Sequence, residues 1–169
     1  MSTSSALSLP EPDRSTICPE RNWCSMLAFP MTKPTIASRL AGNVIGSGEH
    51  SFVVAEWRDA GSPPGPPRPI APLHLHNHDD EAWYVLEGTL HVRVGQDVVE
   101  ARAGSAVFVP RETPHTYWNP DVLPARYLLV MTPNIFRLIQ EIHTMEDRSP
   151  AALREVFARY DSKLLDSED

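Results

Sequence analysis

Short strand-like segments, each bounded by turn-forming residues, divide most of the chain between positions 73 and 131. They are Leu73–His78, Ala82–Glu87, Leu90–Val94, Val98–Ala101, Ala106–Val109, His115–Trp118 and Ala125–Met131. In one of them Leu90, Val92 and Val94 alternate with His91 and Arg93, which predicts one apolar and one polar face. Regularly spaced short strands with Gly, Asn, Asp and Pro between them predict an all-β barrel or sandwich.

Beyond Thr132 the spacing of the apolar residues changes to that of a helix. Thr132 is a candidate N-cap and Pro133 suits the first helical position, and Ser149 and Pro150 repeat this arrangement. The apolar positions are Ile135, Leu138, Ile139 and Ile142, followed by Leu153, Val156, Phe157 and Tyr160. Two short amphipathic helices are not stable alone, so we expect them to pack on the barrel or to contribute to dimerisation.

These patterns divide the 169 residues into three parts of one domain. We expect an N-terminal arm over residues 1–30, a β-barrel over 31–132 and a C-terminal helical extension over 133–169. The barrel is expected to open with strands at Thr35–Leu40 and Ser51–Trp57. The proline-rich segment 61–72 is expected to be an extended loop that forms a rim or lid over the region that follows it.

Composition argues against several classes of partner. The formal net charge of −7 and the pI near 5.4 are unlike those of proteins that bind nucleic acids or anionic membrane surfaces. Only two cysteines occur, Cys18 and Cys24, which is too few for a disulfide framework. The first ten residues show no secretory signal, and no apolar stretch is long enough to span a bilayer, so we expect a cytoplasmic protein.

Three histidines and a glutamate are spaced in a way that suits one metal ion. His74 and His76 project to the same face of a strand, Glu81 begins the next strand, and His115 lies on a later one. Alone, the first two could be surface or hydrogen-bonded histidines, but the other two residues favour a metal site. Mixed nitrogen and oxygen ligands suit a divalent first-row metal, so we expect one ion of Fe, Mn, Ni, Co or Zn.

The same residues form two motifs that resemble those of the cupin superfamily. The first is His74-x-His76, four residues, Glu81, six residues and Gly88. The second is Gly104, five residues, Pro110, then His115 and Asn119. The resemblance, which is to small single-domain bacterial cupins including quercetinase-like dioxygenases, implies a double-stranded β-helix, the cupin or jelly-roll barrel. It also implies His74, His76, Glu81 and His115 as the metal ligands.

Two positions depart from the motifs. Arg68 stands six residues before His74 where the family has glycine, and Glu112 replaces the glycine that follows Pro110 by two positions. Glycine at such positions usually provides a positive φ angle, which costs other residues about 1 kcal/mol or more. We therefore expect a turn of a different type before His115.

The resemblance implies a function as well as a fold. We expect a metal-dependent oxygenase that acts on a small aromatic or phenolic compound, with Glu81 as a proton acceptor. The alternatives are a Zn-dependent cyclase or isomerase, and a non-catalytic cupin that binds a small molecule. The resemblance also implies a homodimer. Four residues are candidates for the substrate pocket, namely Tyr84, His91, Phe108 and Tyr117, whereas His78 is expected to face the solvent.

Overall fold

The computed structural model describes residues 44–46 and 49–166. Within them, ten strands form two five-stranded antiparallel sheets. The first sheet has the order β1 (Val44–Ile45), β2 (Val53–Asp59), β9 (Ala125–Met131), β4 (Glu81–Glu87) and β7 (Ala106–Val109). The second has the order β10 (Ser162–Leu164), β3 (Ala71–His76), β8 (His115–Trp118), β5 (Thr89–Val94) and β6 (Asp97–Arg102). The expected arm and the strand at Thr35–Leu40 lie outside the described residues.

The core lies between the two sheets, where alternate residues of each strand are buried. In β9 the side chains of Tyr127, Leu129 and Met131 are buried, and the residues between them are only partly so. From the second sheet Leu90 and Val92 are fully buried against them. This alternation confirms the predicted fold class, an all-β double-stranded β-helix with short C-terminal helices.

The sequence predicts hairpin turns at Glu87–Gly88 and at Gly95–Asp97, and the structure gives these two turns different outcomes. Gly95 and Gln96 join β5 to β6, which pair directly, so this turn is a hairpin. Gly88 instead connects β4 in one sheet to β5 in the other, so the hairpin expected there is wrong. Its φ is +74°, and an added Cβ would lie 2.7 Å from the carbonyl oxygen of Pro124. Glycine is thus required where the chain changes sheets and passes close to another backbone segment.

The turn before His115 keeps the conformation that glycine usually provides. Glu112 has a φ of +62°, although we expected this residue to impose another turn type. The backbone N–H of Glu112 donates to the carbonyl oxygen of His76 over 2.7 Å. This hydrogen bond ties the turn to β3 and offsets part of the unfavourable backbone conformation.

Two helices follow β9, as the sequence predicts. Helix α1 (Pro133–Thr144) begins after Thr132, whose side chain accepts a hydrogen bond from the N–H of Ile135. Helix α2 (Pro150–Arg159) begins after Ser149, which caps it in the same way through Ala152. The apolar face of α1 packs on the core through Ile135. No helix in the described part of the chain is long and apolar enough to cross a membrane.

Candidate metal centre

Four buried side chains from three strands meet between the sheets. His74 and His76 come from β3 and His115 from β8, while Glu81 comes from β4 of the opposite sheet. His74 and His115 are directly paired across their strands. One ligand atom from each of the four residues lies within 4.8 Å of the others. Three imidazole nitrogens and one carboxylate at such distances could hold a divalent metal ion.

Hydrogen bonds at Nδ1 orient each of the three imidazoles. His74 Nδ1 lies 2.7 Å from the carbonyl oxygen of Pro72, and His115 Nδ1 lies 2.8 Å from that of Thr113. Because a carbonyl can only accept, both nitrogens carry the proton and both Nε2 atoms present a lone pair. Such partners are the usual way in which proteins fix the tautomer of a metal-binding histidine.

The Nε2 atoms and Glu81 face one another at distances that suit a shared ligand. His115 Nε2 lies 3.1 Å from Glu81 Oε2, and His76 Nε2 lies 3.6 Å from Oε1, which is too long for a hydrogen bond. His76 Nε2 is buried and has no hydrogen-bond partner among the described residues. A buried polar atom without a partner is costly, so this nitrogen fits a metal ion at the centre of the cluster.

Without a metal ion, burial and neighbouring charges determine the protonation states of the side chains in the cluster. Burial, with the nearby His115 and His76, lowers the pKa of His74 to about 3, so this ligand is neutral at physiological pH. For Glu81, burial alone would raise the pKa, but interactions with His115 and His76 outweigh it and the pKa is lowered. A neutral imidazole and an ionised carboxylate are the forms that bind metal.

The cluster opens into a cavity of about 130 Å³. Its walls combine aromatic residues of the barrel with the apolar face of α1, and they include Trp57, Trp83, Tyr117, Tyr127, Leu129, Ile135, Leu138, Ile139, Ile142 and Phe157. Tyr127 donates to the Tyr117 hydroxyl over 3.3 Å, and burial raises the pKa of Tyr127 to about 12. Burial also raises the pKa of Tyr117 above its usual value, so both hydroxyls stay protonated at neutral pH.

The structure brings only one of the four pocket candidates to this cavity, and that residue is Tyr117. Tyr84 and Phe108 face away from the core and are 43% and 62% exposed, because strand alternation places them opposite the buried Trp83 and Val109. His91 lies on the outer face of β5, where it contacts Glu100 and the ring of Trp118. His91 is therefore not part of the candidate metal site.

Two further expectations concern residues near the site. His78 is largely exposed and contacts Asp161, in agreement with the solvent-facing position expected for it. Most of the proline-rich loop, which we expected to form a rim or lid, lies away from the cavity. Its residues 62–68 lie beside His91 and Trp118, and only the end of the loop, at Ile70 and Pro72, lines the cavity.

The sequence does not reveal the contribution of the C-terminal segment to the site, since it predicts only packing on the barrel or dimerisation for the helices. Four apolar residues of α1 line the cavity, the ring of Phe157 in α2 lies 5.3 Å from that of His74, and Ser162 in β10 contacts His76. The helical spacing of Ile135, Leu138, Ile139 and Ile142 did reveal an apolar face. Nothing in the spacing shows which surface that face covers.

The fold and the four buried side chains define a double-stranded β-helix protein with a candidate metal centre. Residues 65–131 match the family model described as Cupin domain. The match covers both motifs, and together with the observed fold it supports the cupin superfamily.

Several known proteins are similar to parts of the chain. It is 35% identical over 60 residues to the tetracenomycin polyketide synthase protein TcmJ of Streptomyces glaucescens, covering 36% of this chain and 40% of that protein. It is 30% identical over 61 residues to the uncharacterized protein MJ1618 of Methanocaldococcus jannaschii, covering 36% and 49%. A solved sugar phosphate isomerase from Silicibacter pomeroyi is 25% identical, with coverage of 49% and 51% and a TM-score of 0.43. The chain spans 12% to 49% of the length of the curated relatives it matches.

Proposed function

We propose that this protein is a metal-dependent enzyme, and specifically an oxygenase that acts on a small aromatic or phenolic compound. One observation carries the proposal: the three-histidine, one-glutamate cluster opens into a cavity with aromatic and aliphatic walls. A concave, mostly apolar pocket with a few convergent polar groups is the usual form of a small-molecule site.

The chemistry of the walls supports a largely apolar ligand. Within the described residues, no lysine or arginine lines the cavity, so a phosphorylated compound would have only the proposed metal ion and His143 to interact with its charge. The indole N–H of Trp57 is buried without a hydrogen-bond partner among these residues, and Trp57 lines the cavity. A ligand with an acceptor oxygen at that end would satisfy this donor.

The side chains of the site have distinct roles in this proposal. When bound, a divalent metal would supply positive charge that stabilises an ionised substrate oxygen. Glu81, a carboxylate that lines the apolar cavity, would accept the proton that a phenolic hydroxyl loses. Helix α1 and Phe157 line the cavity with apolar side chains, which would disfavour water beside the reacting groups.

A second candidate function uses the same cavity without oxygen. The similarity to TcmJ, whose name places it with polyketide synthesis, favours a cyclase or isomerase that acts on an aromatic polyketide. In that reaction zinc would act as a Lewis acid, and Glu81 would again move a proton. Both candidates need the same ligand set and differ in the metal and in the need for oxygen.

Elemental analysis of the purified untagged protein tests the proposal first, with His76→Ala to identify specific binding. The control is His78→Ala, which removes an exposed histidine from the same region. We expect about one metal ion per chain in the wild type and in His78→Ala, and loss of the ion in His76→Ala.

Oxygen uptake with phenolic substrates then separates the two reactions. Uptake by the iron, manganese, nickel or cobalt form supports the oxygenase. Turnover of a polyketide-like substrate by the zinc form under argon favours the cyclase instead. No specific metal in the wild type, or a metal without turnover of any substrate, would contradict both and indicate a binding protein.

A further inference from the structure

The acceptor for His76 differs in kind from the acceptors for the other two imidazoles. His74 and His115 bond to carbonyl oxygens two residues away in their own segments. His76 Nδ1 instead lies 2.7 Å from the hydroxyl oxygen of Ser162, which is 86 residues later in the chain. Both side chains are buried. The orientation of this one ligand therefore depends on a side chain and on a distant strand.

The partners of Ser162 determine the direction of this hydrogen bond. A serine hydroxyl has one proton to donate, and its oxygen lies 3.0 Å from the carbonyl oxygen of Tyr160, which can only accept. When the hydroxyl donates to Tyr160, its oxygen accepts from the Nδ1–H of His76. The lone pair of His76 is then on Nε2, the buried atom that has no hydrogen-bond partner within residues 49–166.

Several contacts hold Ser162 opposite His76. Strand β10 pairs antiparallel with β3, and Ser162 is the direct partner of His76 in that register. Backbone hydrogen bonds on either side join Asn77 to Asp161 and Leu165 to Leu73, at 3.0 and 2.9 Å. The carbonyl of Tyr160 also accepts from the side chain of Asn134 in α1. Contacts with β3 and with α1 therefore hold the hydroxyl of Ser162 and its acceptor, the Tyr160 carbonyl, in place.

We propose that Ser162 is a positioning residue for the metal centre, because its hydroxyl fixes His76 with the proton on Nδ1. The affinity of the centre for metal then depends on the pairing of β10 with β3. The inference rests on the proposed metal function and adds to it a residue outside the cupin motifs. Outer-shell partners of this kind typically contribute tenfold to a hundredfold to metal affinity.

The test compares Ser162→Ala, which removes the hydroxyl, with Ser162→Thr, which keeps it. Lys163→Ala is the control, since it changes an exposed neighbour in the same strand. Metal affinity is measured by competition of Zn²⁺ or Co²⁺ with a chromophoric chelator. We expect a loss of about 10- to 100-fold in Ser162→Ala. Ser162→Thr should keep most of the affinity, and Lys163→Ala should equal the wild type.

The tautomer of His76 in the metal-free protein gives a second readout that strand packing alone would not move. We expect imidazole nitrogen chemical shifts to show the proton on Nδ1 in the wild type and in Ser162→Thr. In Ser162→Ala the proton should be distributed over both nitrogens. A proton on Nε2 in the wild type would overturn the proposal.

Two further results would also contradict the positioning role. One is unchanged affinity in a folded Ser162→Ala protein, and the other is an equal loss in the alanine and threonine variants. Either result would contradict the role of Ser162 and leave the proposed metal function intact, because the wild type still binds metal. By contrast, if the wild type binds no more tightly than His74→Ala, the metal function itself fails and the role of Ser162 fails with it.

Discussion

At the scale of single residues, the spacing of the sequence identifies the candidate metal ligands, but it does not always identify the group that orients each of them. The alternation of a strand places His74 and His76 on one face, and this is visible in three consecutive letters of sequence. The carbonyl partners of His74 and His115 are equally local. Ser162 and Trp57 reach the site through the fold, so no pattern near the motifs indicates them.

Glu81→Gln tests the role of the only carboxylate in the cluster. The amide keeps the shape of the side chain but removes the negative charge, so we expect metal affinity to fall by more than the roughly 10- to 100-fold typical of outer-shell changes. Titration calorimetry with Zn²⁺ measures the effect. Glu87→Gln, on the exposed end of the same strand, is the matched control and should bind like the wild type.

At the scale of elements, the sequence predicts the existence of strands better than their partners. Seven segments from Leu73 to Met131 correspond to strands β3–β9, and both helices begin at their predicted caps. Hairpins and sheet crossings both use glycine, so the sequence predicts a hairpin at Glu87–Gly88 although this turn joins two sheets. Strand β10 was missed, since three residues after a helix give too short a pattern.

Glu112→Gly tests the cost of the turn before His115. Glycine removes the penalty of a side chain at a φ of +62° but makes the unfolded chain more flexible. We expect the free energy of unfolding to rise by about 0.5–1 kcal/mol. Chemical denaturation measures it, and Glu112→Ala, which keeps a Cβ, should show no comparable gain. A lower stability for the glycine variant would indicate that the Glu112 side chain stabilises the turn.

The contact between the helices should depend on pH. Glu141 in α1 accepts hydrogen bonds from the hydroxyl of Tyr160 and from Arg159, and these lower its pKa from 4.5. A lowered carboxyl pKa stabilises the fold above pH 4.5, and this contribution is lost as the pH falls through the folded-state value.

We therefore expect Glu141→Gln to have a lower Tm than the wild type at pH 7 and the same Tm once the pH is well below 4.5. Glu155→Gln, exposed in α2, controls for the loss of one charge. A difference in Tm that is equally large in acid would show that charge is not the cause.

At the scale of the whole molecule, the four candidate ligands come from both sheets. Three imidazoles come from one sheet and the carboxylate from the other. Such a site is incomplete until the sheets are packed, so metal should bind the folded chain far better than the unfolded one. The motif spacing indicates the barrel and the clustering of the four residues, but the cavity depends on α1, whose docking position only the three-dimensional structure shows.

Metal should consequently stabilise the fold. At a free metal concentration one hundred times the Kd, we expect a gain of about 2.7 kcal/mol in the free energy of unfolding. Thermal denaturation with and without Zn²⁺ measures this gain. The same metal concentration should leave His115→Ala nearly unchanged, because its affinity is lost. Equal stabilisation of both proteins would point to binding elsewhere on the surface.

The different acceptors at Nδ1 also have an evolutionary consequence. Backbone carbonyls persist through almost any substitution, so the orientation of His74 and His115 is insensitive to mutation at Pro72 and Thr113. The hydrogen-bond acceptor for His76 is instead the side chain of Ser162, which a substitution at that position can remove. If the proposed role of Ser162 holds, a single base change there would alter how firmly the centre retains a metal ion while all four candidate ligands are preserved. On this proposal, position 162 is one at which substitution would tune metal retention without any change to the four clustered residues.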